Sequence, residues 1–430
     1  MQQKGITRRY MWVVFALTTL GWMFDGLDQM IFAMVSPWIM ADWHLSTVQL
    51  GLIGSIFLIG NASGSVIGAI LADIFGRKPI LWITALIYSA FTGLSGLATG
   101  LYSLAGFRAL TGLGTGGQWP VGISMFSECV AAEKRGRLIG IMNSGYPLGF
   151  FLSIGVTATI GLYFRSSLGD WAWRLCFFVG AVPGIITMVF MIKYLRESDV
   201  WLRDRDAKRA KKEKKSSIAY FELFKPKLIK NTITALVLQL AALMSYWGIA
   251  MWAPTFLATQ RGLTVAKMTG FMALWVFGAW VGQICGGFLS DKFGRKPVLS
   301  FYLLGIAFSS IAYAYVTSPV MLFLVNPMTG FFVMGIFGPA MGYTSELFPT
   351  SVRASGVGFA VGFGKSGAII APSLVGVIAA HFSIGAGFYV FSAVGVISFI
   401  LVLILGPETR GLEFEEDIEV KTTEGLAIAD

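Results

Sequence analysis

The sequence predicts an all-α membrane protein in which twelve transmembrane helices form two six-helix repeats, with both termini in the cytoplasm. The first observation is composition, because 55% of the 430 residues are hydrophobic and only 13% are charged, whereas soluble domains carry about 25% charged residues. The three cysteines, Cys129, Cys176 and Cys285, lie apart in apolar stretches. This composition excludes a soluble domain, a disordered chain and a disulfide scaffold.

The second observation is the number of apolar stretches of about 20 residues, the length that a helix needs to cross the hydrocarbon core. Twelve are predicted, at 11–39, 48–71, 80–98, 101–126, 138–163, 174–194, 232–257, 268–289, 297–316, 319–343, 355–379 and 384–406. The first follows Lys4, Arg8 and Arg9 as a signal peptide would, but its length and its two acids predict a retained helix.

The third observation is the distribution of the 33 lysines and arginines. Sorted by loop, 27 fall on one face of the membrane, two fall inside spans, and four fall on the opposite face: Arg165, Arg174, Arg261 and Lys267. Positive residues stay on the cytoplasmic side, so both termini are predicted to be cytoplasmic. This asymmetry accounts for the net charge of +10 without a nucleic-acid partner.

Charged segments divide the chain into four parts. Residues 1–195 and 231–407 are the two predicted six-helix bundles, and 196–230 is a cytoplasmic linker that contains the basic run 208–215. The tail, 408–430, carries eight acids. Both charged segments are expected to be solvated, with the linker able to contact anionic lipid headgroups.

The two halves repeat at a fixed offset of 218 residues. The stretch 73–79 (DIFGRKP) recurs as 291–297 (DKFGRKP), and Ser127, Glu128 and Arg135 recur as Ser345, Glu346 and Arg353. Thr111 and Gly112 recur as Thr329 and Gly330. Three matches at one spacing indicate a six-plus-six duplication.

These motifs resemble the major facilitator superfamily over nearly the whole chain. The family's loop signature is matched from Gly287 to Lys296, while Ala69 and Ile74 depart from it in the first copy. Arg108 to Gly116 resembles the family's glycine-stepped fourth helix, and the segments at 196–198 and 407–411 resemble the boundary motifs of its metabolite:proton branches. The resemblance implies alternating access between two bundles around a site near the midplane, and a monomer.

Acids and bases near the predicted helix ends are candidates for gating. Ion pairs among them would hold neighbouring helices together on the cytoplasmic side, and breaking the pairs would open that side; the alternative is that they only orient the chain in the membrane. The candidates are Asp73, Arg77, Glu128 and Arg135 in the first half and Asp291, Arg295, Glu346 and Arg353 in the second.

Four ionisable residues lie inside spans: Asp25, Asp28, Arg108 and Lys365. Charges at that depth are costly and mark function by default. Asp25 and Asp28 share one helix face, and we expect Arg108 to pair with one of them, either as a static ion pair or as a pair that separates when the acid takes a proton. The equivalent positions in the other half are uncharged: Leu243, Tyr246, Asn326 and Pro147.

Lys365 lies in an eleventh-span segment resembling the one where organic-anion, aromatic-acid and sialate carriers place a cation for the substrate carboxylate. A lysine that extends to the interface is the alternative. With both acids ionised and both bases protonated, the interior charge is zero, so one anion and one proton leave it neutral. This count predicts electroneutral one-to-one symport.

Weaker signals suggest further substrate contacts. Tyr146, Gln239 and Tyr246 are polar residues in mid-span and are expected to line the cavity. Tryptophans such as Trp22 could stack on a substrate ring, although most membrane tryptophans belong to interfacial belts. The sequence contains no phosphate loop, metal-ligand spacing or catalytic triad, so no cofactor, metal site or enzyme activity is predicted.

The predicted function is proton-coupled symport of a small organic carboxylate. The protein is predicted to be a multi-pass protein of the cell membrane of a bacterium or archaeon. Asp25, Asp28 and Arg108 would carry the proton coupling, and Lys365 and Arg108 would hold the substrate. Lactate-like acids, sialate-like sugar acids and aromatic acids all fit. The alternatives are a proton-driven exporter or antiporter, a facilitative carrier, and a nutrient sensor.

Overall fold

The computed structural model describes residues 8–130, 138, 141–198, 201–202, 223–349 and 352–409. In these ranges the regular secondary structure is helical. Arg135, residues 203–222 of the predicted linker and the tail from Arg410 lie outside the described residues. The side chains of Asp73, Asp291 and Arg353 also lie outside them, so the gating roles expected for these residues stay predictions.

The helices follow the predicted spans closely, since each predicted span overlaps one of them. Their bounds are α1 Arg8–Asp42, α2 Thr47–Phe75, α3 Arg77–Ser95, α4 Leu101–Ser127, α5 Gly145–Tyr163, α6 Trp171–Tyr194, α7 Ile229–Thr255, α8 Val265–Phe293, α9 Arg295–Tyr315, α10 Pro319–Gly335 with Phe337–Glu346, α11 Arg353–His381 and α12 Ile384–Leu405. A π-helical segment, Phe256–Gln260, extends α7, and a single turn, Arg165–Leu168, precedes α6.

Ten helices within the described ranges are long and apolar enough to cross a membrane, as a multi-pass membrane protein requires. The helices α3 and α4, of 19 and 27 residues, are not among the ten. The polar side chains of α3 lower its mean hydropathy, and five of them are buried: Thr84, Tyr88, Ser89, Thr92 and Ser95. These side chains face other protein atoms rather than lipid.

The chain forms two compact units. The first comprises Met1–Lys214, Ile249–Val276 and Ile369–Gly387. Within it, the beginning of α2 is hydrogen-bonded to α11, because Ser55 Oγ donates to the Ile369 carbonyl at 2.5 Å and Thr47 Oγ1 donates to the Gly376 carbonyl at 2.9 Å. The Trp252 indole N–H also donates to α11, at the Pro372 carbonyl.

The second unit comprises Lys215–Gly248, Phe277–Ala368 and Phe388–Asp430. Helix packing in the two units repeats at the 218-residue offset. Gly60 of α2 lies directly against the Ala109 carbonyl of α4, and Gly278 of α8 lies in the same way against the Pro327 carbonyl of α10. One turn further, the same contacts join Gly64 to Leu113 and Gly282 to Phe331. A Cβ at these glycines would collide with backbone, so small residues are what allow these helices to approach.

Candidate functional site

An ion pair between α1 and α4 lies in the interior of the first unit. Asp28 and Arg108 are 1% and 0% exposed, and Arg108 Nη1 lies 3.6 Å from Asp28 Oδ1. The Thr92 hydroxyl of α3 donates to the same carboxylate oxygen. Of the two acids that the sequence offers to Arg108, the structure pairs it with Asp28.

Three phenylalanine rings surround the guanidinium of Arg108. Its Cζ atom lies 4.5 Å from the ring centroid of Phe57, 5.3 Å from that of Phe32 and 5.9 Å from that of Phe177. The described residues offer no hydrogen-bond acceptor to Arg108 Nε. The faces of such rings attract a cation, but the rings carry no negative charge. Asp28 is therefore the charged partner of Arg108 in this site.

Asp25 lies one turn before Asp28 and is fully buried. The side-chain amide of Gln29 donates to Asp25 Oδ1 at 2.5 Å, and the Tyr146 hydroxyl of α5 donates to Gln29 Oε1 at 3.2 Å. Tyr146 reaches this position because α1 has a glycine, Gly26, where a Cβ would lie 2.8 Å from the Tyr146 carbonyl oxygen. The two acids therefore have different surroundings, one beside a cation and one in a chain of neutral groups.

The remaining predicted substrate contacts lie in the second unit. Lys365 is half-buried on α11, next to Gly364, where a Cβ would lie 2.8 Å from the Gln239 carbonyl oxygen of α7. Gln239 is 1% exposed and donates to Thr344 Oγ1 of α10 at 3.0 Å. Tyr246, 4% exposed, makes edge-on ring contacts with Trp247 and Phe337. The packing of α11 against α7 thus places Lys365 and Gln239 at the same height along these two helices.

Two candidate gating residues of the first half, Arg77 and Glu128, meet where α2 ends and α3 begins. Arg77 Nη2 lies 3.3 Å from Glu128 Oε1 at the end of α4. Glu197 accepts hydrogen bonds from the backbone N–H groups of Arg77 and Lys78, at 2.8 and 3.2 Å. These N–H groups begin α3 and have no partner within the helix, so Glu197 caps it. Gly76, at φ +108°, makes the turn that admits this carboxylate.

The second half repeats this cluster. Arg295 Nη2 lies 3.1 Å from Glu346 Oε1, and Glu408 accepts from the backbone N–H groups of Arg295 and Lys296 at 2.8 and 3.1 Å. Gly294 adopts φ +101°. Each half therefore fastens the end of its fourth helix to the beginning of its third, through an arginine whose own backbone is capped by a glutamate.

The sequence analysis gave no capping or hydrogen-bonding role to Glu197, Glu408, Gln29 or Thr92, although Glu197 and Glu408 lie in the boundary motifs at 196–198 and 407–411. Signals for the first two are present, because each glutamate precedes a hydroxyl residue, at the end of its half of the chain. Gln29 is four residues from Asp25 and therefore shares its helix face. Thr92 has no such signal, since its contact depends on how α3 and α1 are rotated against each other.

The described residues contain no group of three or more His, Cys, Asp and Glu side chains able to hold a metal ion. The charged groups that they do contain can hold a proton or an anion. They are the buried ion pair of Arg108 and Asp28, the buried acid Asp25 in its hydrogen-bond chain, and the half-buried Lys365 of the second unit.

Comparison with known proteins agrees with this architecture. The niacin transporter NiaP of Acinetobacter baylyi is 30% identical over 429 residues, which covers 94% of this chain and 95% of that protein. The sialic acid transporter NanX of Escherichia coli is 29% identical over 399 residues and covers 91% and 93%. A crystal structure of a D-xylose-proton symporter has the same fold, with a TM-score of 0.76, 19% identity, and coverage of 94% of this chain and 100% of that chain.

The model of one protein family matches nearly the whole chain. It is described as "Sugar (and other) transporter" and covers residues 15–420. The chain therefore belongs to the sugar (and other) transporter family of the major facilitator superfamily, whose members are transporters and not enzymes.

Proposed function

We propose that the protein is a symporter that carries a small organic carboxylate together with one proton by alternating access. In this proposal twelve helices cross the membrane, both termini are cytoplasmic, and residues 1–195 and 231–407 form the two bundles that move. Asp25 and Asp28 take the proton, with Arg108 tuning Asp28, and Lys365 anchors the carboxylate. Tyr146, Gln239, Tyr246 and Arg108 complete the contacts with the substrate.

The observation that carries the proposal is the buried ion pair of Arg108 and Asp28, with a second buried acid one turn away. Placing charges in a dry interior is costly, and the scaffold itself does not require them, because the second half has Asn326 and Tyr246 at the equivalent positions. A site that takes up and releases a proton explains why only the first half has them.

Protonation gives the pair two states. With Asp28 ionised, the carboxylate accepts from Thr92 and attracts Arg108. A proton on Asp28 cancels its charge and leaves the guanidinium of Arg108 without a counter-charge in the dry site, so Arg108 gains a preference for an incoming anion. Asp28 thus responds directly to the proton, and Arg108 passes this response on to the substrate.

A carboxylate as the substrate is supported by the relatives and by Lys365. Niacin and sialic acid, which name two of the relatives, are both carboxylic acids. An ammonium group in a low-dielectric surrounding favours an anion over a neutral sugar. In this proposal the two acids and the two bases sum to zero charge, so entry of one anion with one proton keeps the loaded protein neutral.

The repeated clusters at the beginnings of α3 and α9 are proposed to hold one conformation closed. Arg77–Glu128 and Arg295–Glu346 are partly buried ion pairs, with side-chain exposures of 12% to 23%. A pair of this kind is weak enough to break during a conformational cycle, unlike the pair at Arg108, which is fully enclosed. Asp73, Arg135, Asp291 and Arg353 are proposed to belong to the same clusters.

Purified protein in proteoliposomes tests the proposal. An inward proton gradient should drive accumulation of a radiolabelled carboxylate such as nicotinate, and clamping the membrane potential at constant pH should leave the rate unchanged. Asp28→Asn should abolish accumulation against a gradient while exchange of labelled for unlabelled substrate persists. Lys365→Gln should raise KM, and Lys193→Gln, at the exposed end of α6, is the matched control.

Other outcomes identify the alternatives. Expulsion of substrate under the same gradient would indicate an exporter or antiporter, and equilibration that ignores the gradient would indicate a facilitative carrier. Binding without any flux would indicate a sensor. A strong response to membrane potential would reject the electroneutral count and keep the symport.

A further inference from the structure

A chain of three hydrogen-bonded side chains connects Asp25 to an aromatic surface of the first unit. The Tyr146 hydroxyl donates to Gln29 Oε1 at 3.2 Å, and Gln29 Nε2 donates to Asp25 Oδ1 at 2.5 Å. Asp25, Gln29 and Tyr146 are 0%, 4% and 7% exposed. Water therefore has little access to these three side chains. A change in the protonation of Asp25 therefore alters the hydrogen bonds of Gln29 and, through them, those of Tyr146.

Tyr146, Trp22 and Trp119, which we call the aromatic cluster, lie at the far end of this chain. The rings of Trp22 and Trp119 stack with centroids 4.2 Å apart, and the Tyr146 ring lies 5.0 Å from that of Trp22. Both tryptophans are half-buried, and the described residues give the buried indole N–H of Trp22 no hydrogen-bond acceptor. A surface of three rings with an unused donor suits a planar ring that carries a polar acceptor.

The chain has a direction that the charge of Asp25 sets. An ionised carboxylate only accepts hydrogen bonds, so the amide of Gln29 turns its NH2 group to Asp25 and its carbonyl to Tyr146. The single phenolic hydrogen of Tyr146 is then committed to Gln29. While Asp25 is ionised, Tyr146 has no hydrogen to give to a ligand.

Protonation of Asp25 reverses this direction. The new O–H donates to the carbonyl of Gln29 after the amide has turned over, and the NH2 group of Gln29 then donates to the phenolic oxygen of Tyr146. The hydrogen of Tyr146 is released and can be donated to an anion at the aromatic cluster. One proton is added to Asp25, and no other covalent bond forms or breaks.

We propose that Gln29 is a positioning residue that couples the proton to the substrate, by making the hydrogen of Tyr146 available to the carboxylate of a planar aromatic acid only when Asp25 is protonated. This inference rests on the proposed function, in which Asp25 is one of the proton sites. It narrows the substrate to aromatic carboxylates, whose ring the cluster of Trp22, Trp119 and Tyr146 would hold.

The charged and titratable groups around Asp25 and its neighbour Asp28 come from three further helices: Tyr88 of α3 interacts with both acids, Arg108 of α4 pairs with Asp28, and Tyr146 of α5 reaches Asp25 through Gln29. In α2 the only ionisable residue is Asp73, near its end, and those of α6 are near its two ends, at Arg174, Cys176, Lys193 and Tyr194. Arg108 already pairs with Asp28, so substitutions in the Gln29 chain leave that ion pair in place.

Binding of nicotinate and benzoate to the purified protein tests the inference, with quenching of tryptophan fluorescence as the signal between pH 5 and pH 8. Where binding takes up one proton, the affinity of the wild type should rise as the pH is lowered, by up to about tenfold for each pH unit and by about 10- to 100-fold in total, the contribution of one hydrogen bond to a charged group. Tyr146→Phe keeps the ring and removes only the hydroxyl. It should weaken binding at pH 5 by about 10- to 100-fold, the range for a hydrogen bond to a charged group, and should remove most of the pH slope.

Gln29→Leu frees the hydrogen of Tyr146 at every pH, so it should remove most of the pH slope while keeping the tighter binding of pH 5, and the double variant should bind as weakly as Tyr146→Phe. Gln118→Leu is the matched control, because Gln118 is as buried as Gln29 and lies outside the chain; it should keep the slope. A wild-type slope in Tyr146→Phe would overturn the relay. Preference for a sugar acid such as sialate over both aromatic acids would overturn the ring assignment. A wild type that takes up no proton with any carboxylate would instead reject the proposed function.

Discussion

Replacing Arg108 with methionine should destabilise the folded protein by about 3–5 kcal/mol at pH 7.5, the usual cost of removing one partner of a buried ion pair. The site justifies this range, because Arg108 and Asp28 are 0% and 1% exposed. Methionine fills much of the volume of the arginine side chain but leaves the carboxylate of Asp28 with Thr92 as its hydrogen-bond donor. Phe32 and Phe57, which now lie near the guanidinium, offer no counter-charge.

The loss should depend on pH in a defined direction. In Arg108→Met the folded protein can avoid the buried charge by holding a proton on Asp28, whereas the unfolded chain is ionised there above about pH 5. The folded state then binds one more proton than the unfolded state, so stability should fall by up to about 1.4 kcal/mol for each pH unit raised. The double variant Arg108→Met, Asp28→Leu removes both charges and should return to within about 1–2 kcal/mol of the wild type.

The free energy of unfolding can be measured in detergent micelles by titration with a denaturing detergent at pH 5, 6, 7 and 8, with tryptophan fluorescence as the signal. Arg165→Met is the matched control, because Arg165 is 29% exposed beside Asp42 and partly solvated pairs contribute about 0–1 kcal/mol. A loss in Arg108→Met that does not change with pH, or a double variant as unstable as the single one, would refute the claim that this interior is dry.

Two further predictions concern helix ends and helix packing. Glu197→Ala should cost about 0.5–2 kcal/mol, the range for losing a helix cap, and Gly76→Ala should cost more, because its Cβ would collide with Glu197 and its φ is +108°; thermal unfolding of both variants measures this. Gly112→Ala should be severely destabilising because the Phe57 carbonyl occupies the space of the new Cβ, whereas Gly106→Ala, on the same helix with nothing within 4 Å, should be neutral or stabilising by up to about 1 kcal/mol. Equal losses in the two alanine variants of α4 would show that close approach to α2 does not limit stability.

Much of the fold was predictable because the membrane imposes simple rules. Apolar length located the helices to within a few residues, as 319–343 against Pro319–Glu346 shows. The 218-residue repeat predicted equivalent contacts, and Arg77–Glu128 and Arg295–Glu346 are equivalent ion pairs. Hydropathy was a weaker guide for α3 and α4, because their polar residues face protein. His381, two residues beyond the predicted span 355–379, is the last residue of α11.

The sequence by itself determined which four residues place a charge inside the membrane, and that Asp25, Asp28 and Arg108 have uncharged counterparts in the second half. It also placed Asp25 and Asp28 on one helix face, since the spacing of three residues is a property of the helix alone. Only the tertiary structure decided that Asp28 takes Arg108 while Asp25 takes Gln29 and, through it, Tyr146. The rotation and register of neighbouring helices decide such choices, and glycines such as Gly26 set them by allowing close contact in one orientation. That contact joins residues far apart in the chain, so no local pattern predicts it.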